Sequence, residues 1–231
     1  MEKVFALEDK KGINMEENKR LKYTTYTAGA IEAASNKEMK SWRKEIAEKL
    51  ASPDLGIYDP VEQESGKVGK ESGKQVEYIT GLKQGGHWDI FAAEMEKIWW
   101  GKIDTAKLDR IRLLIYLYEK ARLEGNYLTD FQFWGDYEAV VRSDFIITYL
   151  PKDTKTTGTL LEVHICYLFG IPVFLILPDH PKTEANSTLI DIVMKSGGEI
   201  FYSINECTNF IRDKYHLREP KVIEEKKEEK K

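Results

Sequence analysis

The chain has 231 residues, 42% of them hydrophobic, with 12 Tyr, 9 Phe and 5 Trp, which supports one sizeable core and excludes a disordered chain. A formal net charge of −4 supplies no basic field for a nucleic-acid polymer, so an anionic small molecule would have to meet local donors. The N-terminal stretch has no apolar h-region and no apolar run approaches about 18 residues, the pattern expected of a soluble, cytoplasmic protein with no membrane partner.

Residues 1–22 read as an N-terminal extension. "YTTYTAGAI" (23–31) is β-branched and aromatic and ends in Ala-Gly-Ala, the pattern of a strand running into a tight turn. "NKEMKSWRKEIAEKL" (36–50) predicts a helix, with Met39, Trp42, Ile46 and Leu50 on one face. "LGIYDP" (55–60) predicts a short second strand stopped by proline.

Residues 61–134 interrupt this rhythm. "EQESGKVGKESGKQ" (62–75) reads as a polar, glycine-containing loop, followed by amphipathic helices in "HWDIFAAEMEKIWW" (87–100) and "DTAKLDRIRLLIYLYEKARLEG" (104–125). In the second of these, Leu108, Ile111, Ile115 and Tyr118 share one expected inner face, with Asp104 as N-cap and Gly125 as stop. A connection of roughly 70 residues far exceeds the usual βα loop, so it predicts an inserted helical subdomain. An insertion after the second strand stands where ligand-crevice loops do, and reads as a lid.

The alternation then resumes. "GDYEAVVRS" (135–143) predicts a helix, and "DFIITYLP" (144–151) is an apolar run of strand length, the kind buried on both faces of a parallel sheet. "TGTLLEVHICYLFG" (157–170) predicts a helix closed by Gly170, and "IPVFLILPD" (171–179) another buried strand. "TLIDIVMKSGG" (188–198), "EIFYSI" (199–204) and "NECTNFIRDKYH" (205–216) follow as helix, strand and helix, and 217–231 as a charged flexible tail. Strand alternating with helix over 23–216 predicts a three-layer α/β fold with a five-stranded parallel sheet, flavodoxin- or Rossmann-like.

The two cysteines, Cys166 and Cys207, read as buried free thiols. His87 and His164 have no partners at metal-ligand spacing, so neither a metal nor a cofactor is expected. Glu162 is the conspicuous residue, a carboxylate set in an apolar helix opening among Leu160, Leu161, Val163, Ile165 and Cys166. In the first turn of its helix, the dipole and free N–H groups would hold it ionised. Its plain reading is an acid that stabilises its own helix; its functional reading is a site at the carboxyl end of a central strand. Asp136 likewise reads as an N-cap, a first-turn acid or a site acid, whereas Asp144 reads as a strand start. Gly29, between alanines, would let a backbone turn approach a ligand closely.

Tyr26, Ala28, Gly29 and Ile31 form "Y-x-A-G-x-I"; Asp136, Ser143, Asp144 and Ile147 form "D-x-x-x-x-x-x-S-D-x-x-[IV]"; Gly158, Thr159 and Glu162 form "G-T-x-x-E". In this order, over roughly 23–60 and 134–180, the motifs resemble the nucleoside 2-deoxyribosyltransferase family. That family includes relatives that hydrolyse 2′-deoxynucleoside 5′-monophosphates. The resemblance implies cleavage of the N-glycosidic bond of a deoxynucleoside or deoxynucleotide, with Glu162 attacking the anomeric carbon. It further implies that Asp136 serves the leaving base and Tyr26 orients Glu162, with substrate contacts at Gly29, Ile31 and Asp59.

Where the transferases often carry an acid six residues before the nucleophile, this chain has Thr156. Thr156, Thr157, Gly158 and Thr159 instead offer hydroxyls and N–H groups at a helix N-terminus, suited to a phosphate. The insertion is a second departure, and Trp88, Trp99, Trp100 and Trp134 within it read as core or as base-stacking residues. The resemblance also implies a homo-oligomer, at least a dimer, for which apolar faces in 185–216 are the expected surface. The competing reading is a Rossmann-like domain that cleaves NAD or senses a nucleotide. Tyr26, Asp136 and Glu162 together favour catalysis, and the opening motif favours deoxyribosyl chemistry.

Overall fold

The β-branched and aromatic runs form the strands that their composition predicts. In the computed structural model, which describes residues 21–29, 36–61, 72–101, 109–124, 135–152, 154, 156–179 and 186–220, β1 (Tyr23–Gly29), β2 (Leu55–Tyr58), β3 (Phe145–Tyr149), β4 (Val173–Ile176) and β5 (Glu199–Phe201) make one parallel sheet. Their order is β2-β1-β3-β4-β5. The chain therefore leaves β1 in one direction and β3 in the other, so a crevice opens beyond the carboxyl ends of these neighbours. Tyr26 lies opposite Tyr58 on one side and Ile146 on the other.

Eight helices complete the described residues: α1 (Asn36–Lys49), α2 (Ser72–Gln84), α3 (Trp88–Trp100), α4 (Arg110–Glu124), α5 (Asp136–Arg142), α6 (Thr157–Phe169), α7 (Ser187–Lys195) and α8 (Ile204–Tyr215). Strand side chains alternate between the two faces, and the core divides accordingly. Phe145, Ile147, Phe174 and Ile176 pack with Trp42 and Ile46 of α1, Leu50 just past it, and Cys207 and Ile211 of α8. Ile146, Val173 and Leu175 pack with Val140 of α5, Val163 and Cys166 of α6, and Val193 of α7. This is the expected three-layer fold. No helix of the described residues is long and apolar enough to cross a membrane.

The insertion departs from expectation in two places. Helix α2 begins at Ser72, inside the stretch read as a loop, and Ile79 and Leu82 bury one of its sides. Helix α4 is turned relative to its expected face. Ile111 and Ile115 are exposed (72% and 44%), whereas Leu113, Leu117 and Ala121 are buried. The stretch is apolar on nearly every side, so two faces fit a helical period, and packing chooses the one at 113, 117 and 121. The Asp109 carboxylate accepts a hydrogen bond from the Arg112 N–H at 3.0 Å and caps the first turn; Asp104, Leu108 and Gly125 lie outside the described residues.

Helices α3 and α4 of the insertion belong to the main core. Trp100, Leu113 and Leu117 join Tyr26, Tyr58 and Ala139 in one buried cluster. Gly135, just before α5, makes this contact possible, since a Cβ there would collide with the backbone of Trp99, Trp100 and Gly101. Of the residues expected to carry an apolar oligomer face, Met194 is the large exposed one; Leu160, Leu161, Tyr167 and Leu168 leave a broader exposed strip on α6.

The described residues that flank the α/β region are fastened at both sides. Leu21 and Leu217 are buried, so the core takes in a residue from each side of 23–216. Arg218 grips Asp54 through its guanidinium, with Nε to Oδ2 at 2.8 Å, and its N–H donates to the same carboxylate at 3.2 Å. The Asp54 carbonyl in turn accepts from the Tyr23 N–H at 2.9 Å, at the start of β1. The Arg218 hydrogen bonds hold the Asp54 carboxyl down at about 2. A depressed carboxylate stabilises the fold fully above its unfolded value of about 3.9 and loses that contribution as pH falls toward about 2. The urea midpoint of the wild type should therefore fall more steeply than that of Asp54→Asn over this acid window. Parallel pH dependences for the two proteins would contradict the contact.

Candidate active site

Helix α6 has a polar cap and an inward stripe. Thr156 is its N-cap; its hydroxyl accepts from the Thr159 N–H at 3.4 Å and donates to the Thr159 hydroxyl at 2.6 Å. With Thr157 as the first helical residue, Glu162 falls in the second turn and not the first, contrary to the sequence reading. Its surroundings differ too: Leu160 and Leu161 are exposed (47% and 42%), while Thr159, Glu162, Val163 and Cys166 form the buried stripe. The free N–H groups of the helix start are thus a turn away, and burial governs the charge. Burial pushes the Glu162 carboxyl up to about 7, against the opposing pull of the Tyr26 hydrogen bond and the Arg43 charge. The expectation that the helix end holds it ionised is corrected accordingly.

Strand β1 supplies the partner. The Tyr26 hydroxyl, from a side chain only 1% exposed, donates to Glu162 Oε1 at 2.6 Å. Tyr58 of β2 stacks on the Tyr26 ring, with centroids 5.6 Å apart and planes 19° from parallel. Burial, then the charges of Asp136 and Glu162, raise the Tyr26 hydroxyl well above its usual value, so it stays a donor. Asp136, half-buried, is the first residue of α5 after the Gly135 N-cap. Burial and the charges of Glu162 and Asp136 also push its neighbour Tyr137 up to about 12. Tyr26, Glu162 and Asp136, each picked out in the sequence, are brought together by the fold.

The remaining expected site residues divide. Asp59, just past β2, sits beside Arg43 (Oδ1 to Nε, 3.3 Å) and accepts from the Val61 N–H at 2.9 Å. Gly29 ends β1, but the space left by its missing side chain holds Trp42, not a ligand: a Cβ there would lie 2.6 Å from the Trp42 ring. Trp42 stacks on Tyr149 across the sheet at 5.0 Å. Thr157 and Gly158 are exposed at the start of α6, whereas Thr159 is buried. Ile31 and Trp134 lie outside the described residues. Trp99 stacks on Tyr137 (5.9 Å, 21°) and Trp100 meets its edge (4.9 Å, 82°), so the insertion forms an aromatic wall beside Asp136. Trp88 stands apart from this stack, 62% exposed.

The sequence reading missed Arg43. Its side chain is 1% exposed, its Nη2 donates to the Gly29 carbonyl at 3.1 Å, and its guanidinium lies 4.2 Å from the Trp42 ring centroid. Burial lowers its proton affinity, and the charges of Asp59, Tyr26, Glu162 and Asp136 act in the opposite sense. A signal was present, because Arg43 and Ile46 of α1 and Leu50 just past its end fall at helical spacing and are buried.

No family profile matches the chain, and no curated protein does. A crystal structure of a conserved protein from Enterococcus faecalis V583 is similar to it at 13% identity and a TM-score of 0.44, covering 83% of this chain and 98% of that one.

The elevated Glu162 carboxyl has a consequence for stability. Its native state binds the proton more tightly than the unfolded chain, whose value is about 4.3. The protonated form therefore stabilises fully below about 4.3, and this contribution is lost as pH rises through about 7. Glu162→Gln, which cannot ionise, should gain in thermal midpoint over the wild type between pH 5 and pH 8. A gap that stays constant with pH would mean that Glu162 is solvated, against the burial described above.

Proposed function

We propose that the protein cleaves the N-glycosidic bond of 2′-deoxynucleosides or their 5′-monophosphates through a covalent deoxyribosyl-Glu162 intermediate, ending in hydrolysis or base transfer. The observation that carries this reading is the buried Tyr26–Glu162 hydrogen bond of 2.6 Å, with the Asp136 charge acting on the Tyr26 hydroxyl. Glu162 lies on the helix that follows β3, the helix that starts at the carboxyl end of the sheet where ligands of such folds bind, which adds support.

The chemistry follows from the arrangement. A Glu162 oxygen attacks C1′ as the C1′–N bond breaks, and the bond's electron pair leaves with the base. Asp136, as the acid, gives a proton to a ring nitrogen of the departing base. Positive charge developing on the sugar favours the Glu162 carboxylate over its protonated form, so a group buried near its titration point suits the step. Tyr26 fixes the direction of the attacking oxygen. Water, or a second base, then takes the sugar from Glu162, and the proton released returns to Asp136.

The start of α6 bears on the 5′-phosphate. Thr156 and Thr159 hydroxyls bond to each other and the Thr156 hydroxyl takes the Thr159 N–H, which leaves the Thr157 hydroxyl and the N–H groups of Thr157 and Gly158 as the donors for an anion. One charge-assisted hydrogen bond of about 1.5–3 kcal/mol corresponds to a preference of roughly tenfold or more.

Incubation with common deoxynucleosides and their monophosphates, with and without free acceptor base, tests the reading through released base. Release should fall by several orders of magnitude in Glu162→Ala. The monophosphate should have the higher kcat/KM, and Thr157→Val should narrow that gap. No base release from any member of the panel, or undiminished release by Glu162→Ala, would overturn the reading.

A further inference from the structure

Arg43 is a buried cation whose chemistry the proposed reaction does not use. An arginine removed from water needs its charge answered, and here a carbonyl and a carboxylate at the carboxyl ends of two strands lie against it. Nη2 reaches the last carbonyl of β1, at Gly29 (3.1 Å), and Nε faces Asp59, just past β2 (3.3 Å). Its ring-facing side rests on Trp42, which itself fills the space over Gly29. The guanidinium thus has a fixed position under the crevice, set by backbone, carboxylate and indole together.

We propose that Arg43 is the positioning residue of this site, a cation anchored on the Gly29 carbonyl and Asp59 against which Glu162 takes up its negative charge. The inference deepens the proposed glycosidic chemistry and rests on it only for the role of the charge. Tyr26 of β1 and Cys166, one turn along α6, face Glu162 from the core side, and Asp136 and Tyr137 of α5 flank the crevice. Tyr58 of β2 backs Tyr26. Strand β3 carries Tyr149, and β4 has no ionisable side chain. On α7, Asp191 and Lys195 pair with each other at 2.8 Å, both 58% exposed. Also on α5, the buried Arg142 is paired with Glu138 at 2.9 Å. Arg43 is therefore the cation of this group whose charge acts on Glu162, and Asp59 moderates it: the acid that fixes Arg43 also draws on its charge.

This arrangement makes two substitutions act in opposite directions. Arg43→Met removes the cation, so Glu162 should hold its proton to higher pH, by about one unit or more. Asp59→Asn frees the Arg43 charge from its partner, so Glu162 should release its proton at lower pH. Arg43→Lys keeps the charge and should leave the midpoint near that of the wild type. The midpoint is read by carbon NMR of the Glu162 carboxyl in 13C-glutamate-labelled protein, assigned with Glu162→Gln, and needs no turnover.

Opposite shifts in Arg43→Met and Asp59→Asn establish the role. If Arg43→Met fails to fold, Asp59→Asn and Arg43→Lys decide: a downward shift in the former with a wild-type midpoint in the latter supports it. Shifts of the same sign, or an unmoved midpoint in Asp59→Asn, overturn it. The acid limb of kcat/KM for base release should follow the same shifts. Opposite NMR shifts in a protein that releases no base would retain the Arg43 assignment and reject the glycosidic reading.

Discussion

A carboxylate and a phenol buried together, Glu162 and Tyr26 at 2.6 Å, impose the constraint on which the site depends. Neither group can be left unmet in a core. The hydrogen bond satisfies one Glu162 oxygen and orients it, while burial keeps its proton affinity high and the Tyr26 hydroxyl protonated. The surrounding residues answer the remaining electrostatic demand. Arg43 is held on Gly29 and Asp59 where its charge reaches Glu162, and Asp136 adds negative charge at the crevice side.

Local sequence choices place these groups. Sheet order β2-β1-β3-β4-β5 sets β1 beside β3, so a strand from the beginning of the chain supplies Tyr26 to a helix that follows β3. Gly29 admits the Trp42 ring under the end of β1, and Trp42 stacks onward to Tyr149 of β3. Gly135 lets the end of α3 press against the start of α5, bringing Trp99 and Trp100 onto Tyr137 beside Asp136. An insertion that interrupts the strand–helix rhythm thereby becomes a wall of the crevice, anchored through Trp100, Leu113 and Leu117 in the core.

The strands and most of the helices were legible because their signals are local. "DFIITYLP" and "IPVFLILPD" are apolar at every position, as strands covered on both faces must be, and their alternate residues do face opposite helix layers. Tyr26, Asp136 and Glu162 stand out in short motifs; the fold joins Tyr26 to Glu162 by a hydrogen bond and brings the Asp136 charge to bear on Tyr26. What was hidden depended on tertiary contact. Helix α4 is apolar on more than one side, so periodicity alone chose Ile111 and Ile115, which solvent covers, over Leu113 and Leu117. The turn occupied by Glu162 could not be counted until the cap at Thr156 was fixed. Arg43 sits in a lysine- and glutamate-rich helix where a charged residue reads as solvated, and only its spacing to Ile46 and Leu50 marks it as inward.

Glu162 as a covalent nucleophile is the central claim, and peptide mass mapping after an acid quench tests it most directly. Protein mixed with common deoxynucleosides and their monophosphates should carry one deoxyribosyl group on the peptide containing Glu162, absent in Glu162→Gln. Rapid base release with the Glu162 peptide unmodified, or a deoxyribosyl group found on a different side chain, would contradict it.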